Sequence, residues 1–314
     1  MNVLSSAFAA VIPIAFYLVV IWLLDKYDRE PFRLMIVNFL WGAIGSVIFA
    51  FIGSMMLENE LLLSFKFYQH PELIGPLVIA PLVEESTKGI FLFITITRKE
   101  FDNITDGLVY GGAIGLGFGM TENFFYFLSY GTTVESWVTL VITRSMFSAV
   151  MHCISTGTFG AFIAMAKFGR GFQRLLYPAY GFILAVLIHF TWNFTVKESL
   201  TILLGVLFIV FASLVFLTVF LYSIHNEKRI ILRELSEGSD SQLIPKEHIE
   251  ILVTHKRHMK GWIDESIRKA YIRNLITLAF RKMQFKQASG SEQQYYAIEI
   301  ENCRNNIKAL LSNP

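Results

Sequence analysis

Long apolar runs separated by short polar stretches dominate the first 225 residues of the chain. They extend over approximately residues 4–24, 34–57, 72–97, 105–130, 137–166, 174–196 and 199–224. A helix needs about 20 apolar residues to cross the hydrocarbon core of a bilayer. The pattern therefore predicts an all-α fold, a polytopic transmembrane helical bundle of about seven spans. The run at 4–24 has no basic residue before it and is too long for the apolar region of a signal peptide, so we expect a retained transmembrane helix.

The pattern changes after residue 225. Residues 226–314 are rich in charged, helix-favouring residues, with breaks at 238–240 and 288–291. They hold 15 of the 27 Lys and Arg and 11 of the 25 Asp and Glu, which gives this part +4 and the rest −2. We expect two domains, a transmembrane domain at 1–225 and a cytoplasmic helical tail at 226–314. The tail is expected to form two or three amphipathic helices that pack on one another, on the membrane surface or on a cytoplasmic partner.

Composition supports an integral membrane protein. Hydrophobic residues make up 54% of the chain and charged residues 17%, whereas soluble proteins carry about a quarter charged residues. Cys153 and Cys303 provide neither a disulfide framework nor a metal-binding spacing. The expected partners are the lipid bilayer and a membrane-embedded protein, and no nucleic acid.

Basic residues alternate between the loops that connect the spans. The first, third and fifth loops hold eight Lys and Arg, and the other loops hold two. Since cytoplasmic loops carry the excess of positive charge, the N-terminus is predicted outside and the C-terminus in the cytoplasm. The eight are Lys26, Arg29, Arg33, Arg98, Lys99, Lys167, Arg170 and Arg174, and the two are Lys66 and Lys197.

Two adjacent carboxylates interrupt the third apolar run. Glu84 and Glu85 lie in its middle, and Lys88 follows four residues after Glu84 on the same helix face. Ionised groups at bilayer depth are costly and typically mark a functional site. Two carboxylates beside an ammonium can keep one carboxylate charged, as a general base requires. A structural ion pair between helices is the alternative.

Three further runs carry polar residues at helical spacing. Glu122 lies in the fourth run, His152 in the fifth, and His189 with Asn193 at i and i+4 in the sixth. Asn193 is placed to orient the His189 ring. At about 1.5 Å rise per residue, these groups and Glu84 lie roughly 5 to 22 Å from the outer ends of their helices. Their depths overlap, which favours one shared site in the outer half and middle of the membrane.

Glycines recur every four residues along the fourth run, at Gly107, Gly111, Gly115 and Gly119. Such a strip lets a neighbouring backbone approach closely. We interpret it as packing rather than chemistry, and expect it to hold Glu122 in a fixed place.

These motifs together resemble the PrsW family of intramembrane proteases, which is related to the CAAX-protease and bacteriocin-processing group. Glu84-Glu85-x-x-Lys88 resembles the family's EExxK, Phe118-x-x-x-Glu122 its second motif, and His152 and His189-x-x-x-Asn193 its later histidine motifs. The segment 25–31, DKYDREP, is similar to its juxtamembrane signature. The resemblance covers roughly residues 10–200. It implies hydrolysis of a peptide bond in a membrane-tethered protein, with an anti-sigma factor cut at an extracytoplasmic site as the substrate implied.

Two versions of the chemistry stay open. In the first, Glu84 is the general base, Glu85 and Lys88 support it, and His152 and His189 stabilise the oxyanion or donate to the leaving amine. Glu122 orients a histidine. In the second, a zinc ion is held by Glu122, His152 and His189, with Glu84 as base.

Two other classes use similar residues. Intramembrane Glu, Lys and His also form the proton relays of coupled transporters, although no convincing repeat is visible in the sequence. A non-catalytic scaffold that signals through its tail is the other alternative.

Overall fold

The computed structural model describes residues 2–64, 71–98, 100–169, 171–197, 200–237 and 243–312. Lys66, Lys99, Arg170 and the predicted break at 238–240 lie outside these ranges. Within them the chain is helical and contains no strand. The prediction of an all-α polytopic membrane protein is confirmed. The chain divides into two units, one of residues 1–24 and 30–220 and the other of residues 25–29 and 221–314.

Ten α-helical segments begin in the described part of the first unit, and three π-helical segments interrupt them. The π-helical segments are Trp41–Ser46, Gly75–Ile79 and Arg144–Ser148. The α-helices are α1 Val3–Leu24, α2 Phe32–Leu40, α3 Val47–Ser64, α4 Pro71–Ile74, α5 Ala80–Thr95, α6 Ile104–Tyr130, α7 Val134–Thr143, α8 Ala149–Lys167, α9 Gln173–Val196 and α10 Ile202–Ser236.

Five of the described helical stretches are long and apolar enough to cross a membrane: Val3–Leu24, Phe32–Glu60, Val134–Lys167, Gln173–Val196 and Ile202–Ser236. Their outward side chains are largely apolar, as a lipid environment requires; Phe51 and Phe211 are examples. The two further predicted spans correspond to Pro71–Thr95 and to α6. These contain Glu84, Glu85, Lys88 and Glu122, and their polar residues lower their hydropathy.

The most extensive helix pair in the unit is α6 against α8. The predicted glycine strip explains it. A Cβ on Gly107, Gly111 or Gly115 would collide with backbone atoms of α8, and on Gly115 the nearest atom is the carbonyl oxygen of His152. The interpretation of the strip as a close-packing surface is confirmed. Its effect is to fix the height of His152 on α8 relative to α6.

The described part of the second unit contains the end of α10, a short 3-10 helix at His255–His258 and three more α-helices, α11 Lys246–Leu252, α12 Glu265–Gln287 and α13 Gly290–Ser312. The break predicted at 288–291 is confirmed, since α12 ends at Gln287 and Gly290 has a φ of +62°. The apolar core of this unit includes Tyr271, Leu275 and Leu278. The loop at 25–29 also belongs to it: Tyr27 is buried in that core, and its hydroxyl donates to the carbonyl of Val253 at 3.1 Å. The sequence had placed this loop, and the chain up to residue 225, in the transmembrane domain.

Candidate functional site

The six ionisable residues that the sequence singled out lie together in the first unit; they are Glu84, Glu85, Lys88, Glu122, His152 and His189. Glu84 and Glu85 sit one turn into α5, directly after the π-helical segment Gly75–Ile79. Neighbouring residues on a helix point about 100° apart, so the two carboxylates have different surroundings. That difference separates their chemical roles.

Glu85 is fully buried, and its described hydrogen-bond partners act as donors. Its Oε1 accepts from Lys88 Nζ at 2.8 Å, from His189 Nδ1 at 3.0 Å and from Ser155 Oγ at 3.2 Å. Its Oε2 accepts from Thr156 Oγ1 at 3.1 Å. A carboxylate with this many donors is stabilised in its charged form. It is suited to holding its neighbours in place rather than to reacting.

Glu84 is more open. Its side chain is 14% exposed, although the Oε2 atom itself is buried, and Oε2 accepts no hydrogen bond from the described residues. The nearest charged atom is Lys88 Nζ, at 3.5 Å, and the Nε2 of His189 lies 3.8 Å away. A carboxylate oxygen with a free lone pair beside a cation can bind a water molecule or a metal ion.

The two histidines meet edge to face, with ring centroids 4.9 Å apart. His189 directs Nδ1 at the ionised Glu85, so Nδ1 carries the proton and Nε2 presents a lone pair toward Glu84. His152 Nδ1 lies 3.0 Å from Lys88 Nζ. An ammonium only donates, so Nδ1 accepts and the proton sits on Nε2.

Glu122 accepts the hydrogen bond that Nε2 of His152 donates. Its Oε2 lies 2.9 Å from His152 Nε2 and 2.6 Å from Arg144 Nη2. The expectation that Glu122 orients a histidine agrees with this contact. Lys88 also lies 4.0 Å from the centre of the Phe118 ring, a cation–π distance. The six ionisable groups and Arg144 therefore form one connected network.

Asn193 is placed differently from the sequence expectation. Its Nδ2 donates to the carbonyl oxygen of Pro76 at 2.9 Å, in the π-helical segment before α5. The partner that holds the His189 ring is Glu85. The i, i+4 spacing would allow Asn193 to reach the His189 ring, but the buried Glu85 carboxylate on α5 is the stronger acceptor for that ring. Asn193 thus links α9 to the π-helical segment that leads directly into α5, the helix of the two glutamates.

Sequence reasoning did not include Ser155, Thr156 or Arg144 among the site residues. Ser155 and Thr156 are ordinary small polar residues of a helix, and nothing in the sequence indicates that they face Glu85. Arg144 did carry a signal, because it lies at i−8 from His152 on one helical stripe through Ser148.

The residues present offer a partial fit to a divalent metal ion. Glu84, His152 and His189 each place a ligand atom within 4.8 Å of the others, and three such ligands with one open position are typical of catalytic zinc. Glu85 behind His189 is the carboxylate that commonly supports a metal-bound histidine. This set contains Glu84 where the sequence-based set had Glu122. Both ring nitrogens of His152 already have partners, so as a ligand it would give up one of them.

Comparisons with known proteins match the part of the chain that contains this site. A family model described as PrsW family intramembrane metalloprotease matches residues 30–222. Protease PrsW of Clostridioides difficile (strain 630) is 34% identical over 188 residues, covering 59% of this chain and 76% of that protein. Protease PrsW of Oceanobacillus iheyensis is 28% identical over 207 residues, covering 65% and 88%. That of Bacillus subtilis (strain 168) is 25% identical over 174 residues, covering 55% and 74%.

No solved structure matches the chain. The family match ends at residue 222, so it leaves out nearly all of the second unit. The match covers more than half of the chain, and the clustered glutamates and histidines lie within it. The chain belongs to the PrsW family of intramembrane metalloproteases and is an intramembrane protease.

Proposed function

We propose that Glu84 activates the water molecule that hydrolyses a peptide bond of a membrane-tethered protein. The observation that carries this is the contrast between the two adjacent glutamates. Glu85 is fully buried and surrounded by donors, whereas Glu84 is partly exposed and keeps an oxygen without a hydrogen bond among the described residues. A general base must reach the proton that it removes, and Glu84 is the more exposed of the two side chains, with an oxygen that is not already hydrogen-bonded to a described residue.

In the proposed reaction, Glu84 Oε2 takes a proton from water while the water oxygen bonds to the carbonyl carbon of the substrate. The C–N bond then breaks, and the proton passes to the leaving amine. His189 Nε2, 3.8 Å from Glu84 Oε2, relays this proton. Glu85 holds His189 in the tautomer that leaves Nε2 free to do so.

Lys88 and His152 complete the arrangement. Lys88 is buried and its Nζ faces Glu84, Glu85 and His152. Its charge attracts the Glu84 carboxylate, which has to be ionised to act as the base. His152, whose two ring nitrogens bond Lys88 and Glu122, holds Lys88 close to the reacting groups, where the ammonium stabilises the oxyanion of the intermediate.

A metal ion, if bound, would be held by Glu84, His152 and His189. It would supply Lewis acidity that lowers the pKa of a bound water molecule. Glu84 has two oxygens, so one can bind a metal while the other accepts a proton. Zinc is the ion that this donor set suits best.

The proposed substrate is a single-span or membrane-tethered protein cut in the outer half of the membrane, and an anti-sigma factor is the class that the sequence resemblance implied. The loop charges support an outside N-terminus and a cytoplasmic C-terminus. Residues 226–314 would then face the cytoplasm, where they are available to a protein partner.

The test compares cleavage of a single-span substrate by the purified wild-type protein in nanodiscs and by Glu84→Gln. We expect the variant to lose about 10²- to 10⁴-fold in kcat, the usual contribution of a general base. Glu135→Gln is the matched control, because Glu135 is an exposed glutamate at the start of α7. Equal cleavage by Glu84→Gln and wild type would show that the assignment of Glu84 is wrong.

A second experiment addresses the metal. The metal content of the purified protein is measured, and activity is followed through chelation and addition of zinc. Loss and recovery of activity with a stoichiometric ion supports the zinc version, and full activity of rigorously metal-free protein contradicts it. Absence of cleavage with every tested membrane substrate would favour a transporter or a non-catalytic scaffold instead.

A further inference from the structure

Arg144 lies at the edge of the network, where the chain changes from α7 to a π-helical segment. That segment, Arg144–Ser148, continues directly into α8, which carries His152. Single π-helical turns inside longer helices are frequent at functional sites. Arg144 is therefore held on the same continuous helix as His152, two turns before it.

Every described contact of the Arg144 side chain goes to α6. Its Nη2 donates to Glu122 Oε2 at 2.6 Å, its Nε donates to Asn123 Oδ1 at 3.0 Å, and its guanidinium carbon lies 3.5 Å from the centre of the Tyr126 ring. A planar guanidinium can make the two hydrogen bonds and the stacking contact at once, which an ammonium cannot. The contacts fix both the position and the orientation of the Arg144 side chain.

The oxygen that Arg144 binds is the one that holds His152. Glu122 Oε2 accepts from Arg144 Nη2 and from His152 Nε2, at 2.6 and 2.9 Å. The Glu122 side chain is 25% exposed and the Arg144 side chain 15%, so this carboxylate is far less enclosed than Glu85. Without Arg144, rotation about the side-chain bonds of Glu122 would move its carboxylate away from His152.

We propose that Arg144 is a positioning residue for the proteolytic reaction, which fixes the Glu122 carboxylate against Nε2 of His152. The effect on catalysis passes through Glu122 and His152, and Arg144 itself touches no reacting atom. This inference rests on the proposed function of the site. Arg144 lies outside all of the family motifs quoted above.

The first test measures kcat and KM for Arg144→Gln, Arg144→Lys, Glu122→Gln and the double variant Arg144→Gln/Glu122→Gln. We expect Arg144→Gln to lose about 10- to 100-fold in kcat, as is usual for partners that orient a catalytic or metal-bound histidine, with little change in KM. Arg144→Lys should fall between it and the wild type, because Lys keeps the charge but not the two-point geometry. In the Glu122→Gln background, Arg144→Gln should cost little more, because the two act as a unit.

Arg98→Gln is the matched control, since Arg98 is exposed on the turn after α5. An unchanged kcat in Arg144→Gln would overturn the inference, and so would independent, multiplicative effects of the Arg144 and Glu122 substitutions. Folding is checked by thermal unfolding, and Arg144→Lys remains informative where Arg144→Gln fails to fold.

The second test does not depend on activity. Protein with ¹⁵N-labelled histidine, treated with chelator, reports the proton position on each ring, and His152→Gln assigns the His152 signals. We expect His152 to be protonated at Nε2 in the wild type, and its signals to shift or broaden in Arg144→Gln and to be restored in part by Arg144→Lys. An identical His152 spectrum in wild type and Arg144→Gln would overturn the inference, even where no substrate is cleaved and the proposed function itself fails.

Discussion

Glu85 Oε1 and His189 Nδ1 lie 3.0 Å apart and join two helices whose residues are 104 positions apart in sequence. The contact fixes the tautomer of His189, because an ionised carboxylate accepts and the ring must donate. It also uses Glu85 as a support, which leaves Glu84 as the carboxylate with a free oxygen. One hydrogen bond thus underlies the different roles that we propose for two adjacent and chemically identical side chains.

Removing the charge of Glu85 tests that division. Glu85→Gln should lower kcat by about 10- to 100-fold with little effect on KM, because the neutral amide holds the His189 ring less firmly and does not fix its tautomer. The measurement is cleavage of the single-span substrate, with Glu135→Gln as control. A Glu85→Gln enzyme as active as the wild type would show that His189 does not need this support.

The packing of α6 on α8 predicts a strong effect of one added methyl group. In Gly115→Ala the new Cβ would meet the carbonyl oxygen of His152, a backbone atom that cannot move alone. We expect a loss of about 1–3 kcal/mol in the free energy of unfolding, with a loss of cleavage because His152 shifts.

Gly112→Ala is the control for this substitution. Its Cβ would meet the Sγ of Cys153 at 3.2 Å and the Cδ1 of Ile21 at 3.5 Å, side-chain atoms that can move. Thermal unfolding and cleavage assays on both variants check the prediction. A Gly112→Ala effect as large as that of Gly115→Ala would indicate a general intolerance of α6 to substitution.

Because Tyr27 is buried in the core of the second unit, we expect the loop at 25–29 to contribute to the stability of that unit. Tyr27→Ala should cost about 3–5 kcal/mol, as expected for removal of a buried aromatic side chain. Tyr27→Phe should cost about 1 kcal/mol, because it loses only the hydrogen bond to Val253. Hydrogen exchange of α11 and α12 measures the effect, and Tyr295→Ala, at a 42% exposed tyrosine, is the control. Unchanged exchange in Tyr27→Ala would show that the loop is not part of this core.

The position of the Asp28 carboxyl predicts that the stability of the second unit depends on pH. Burial raises the pKa of Asp28 from 3.8 to about 6, although Arg281 and Arg273 lower it. The folded state therefore holds this proton more tightly than the unfolded state, and the associated stability is present below about pH 4 and is lost as the pH rises through about 6. Asp28→Asn should remove this dependence and stabilise the unit at pH 7.

Asp264 is the control for Asp28, because its pKa is shifted in the opposite direction. Hydrogen bonds from the Ser266 hydroxyl and backbone lower the pKa of Asp264, so its contribution is present above its unfolded pKa and is lost as the pH falls. Hydrogen exchange of α12 between about pH 2.5 and 7.5 in the wild type, Asp28→Asn and Asp264→Asn separates the two contributions, because that of Asp264 changes only below about pH 4. A wild-type pH profile that Asp28→Asn leaves unchanged would contradict the prediction.

The helices and the identity of the site could be read from the sequence because both rest on short-range patterns. The apolar runs predicted helices within a few residues of where α1, α6 and α9 begin and end. The spacing of Glu84, Lys88, Glu122, His152 and His189 brought these residues to overlapping depths, and the glycine strip indicated which helix packs closely. Each of these follows from the helical period and the thickness of the bilayer.

The partners of individual side chains could not be read in this way. The sequence paired His189 with Asn193 on its own helix, and the structure pairs it with Glu85 on α5. It gave no sign of Ser155 and Thr156 beside Glu85, and it placed Tyr27 in the membrane domain. Rotation of each helix about its axis decides these contacts, and that rotation is set by packing between helices that are distant in sequence.

The sequence by itself determined that this chain is a helical membrane protein with a cluster of glutamates and histidines at similar depths, because hydropathy and helical spacing are local properties. Only the tertiary structure decided which glutamate is enclosed and which is open. That choice depends on four donors from three helices converging on Glu85, which no spacing along one helix can specify.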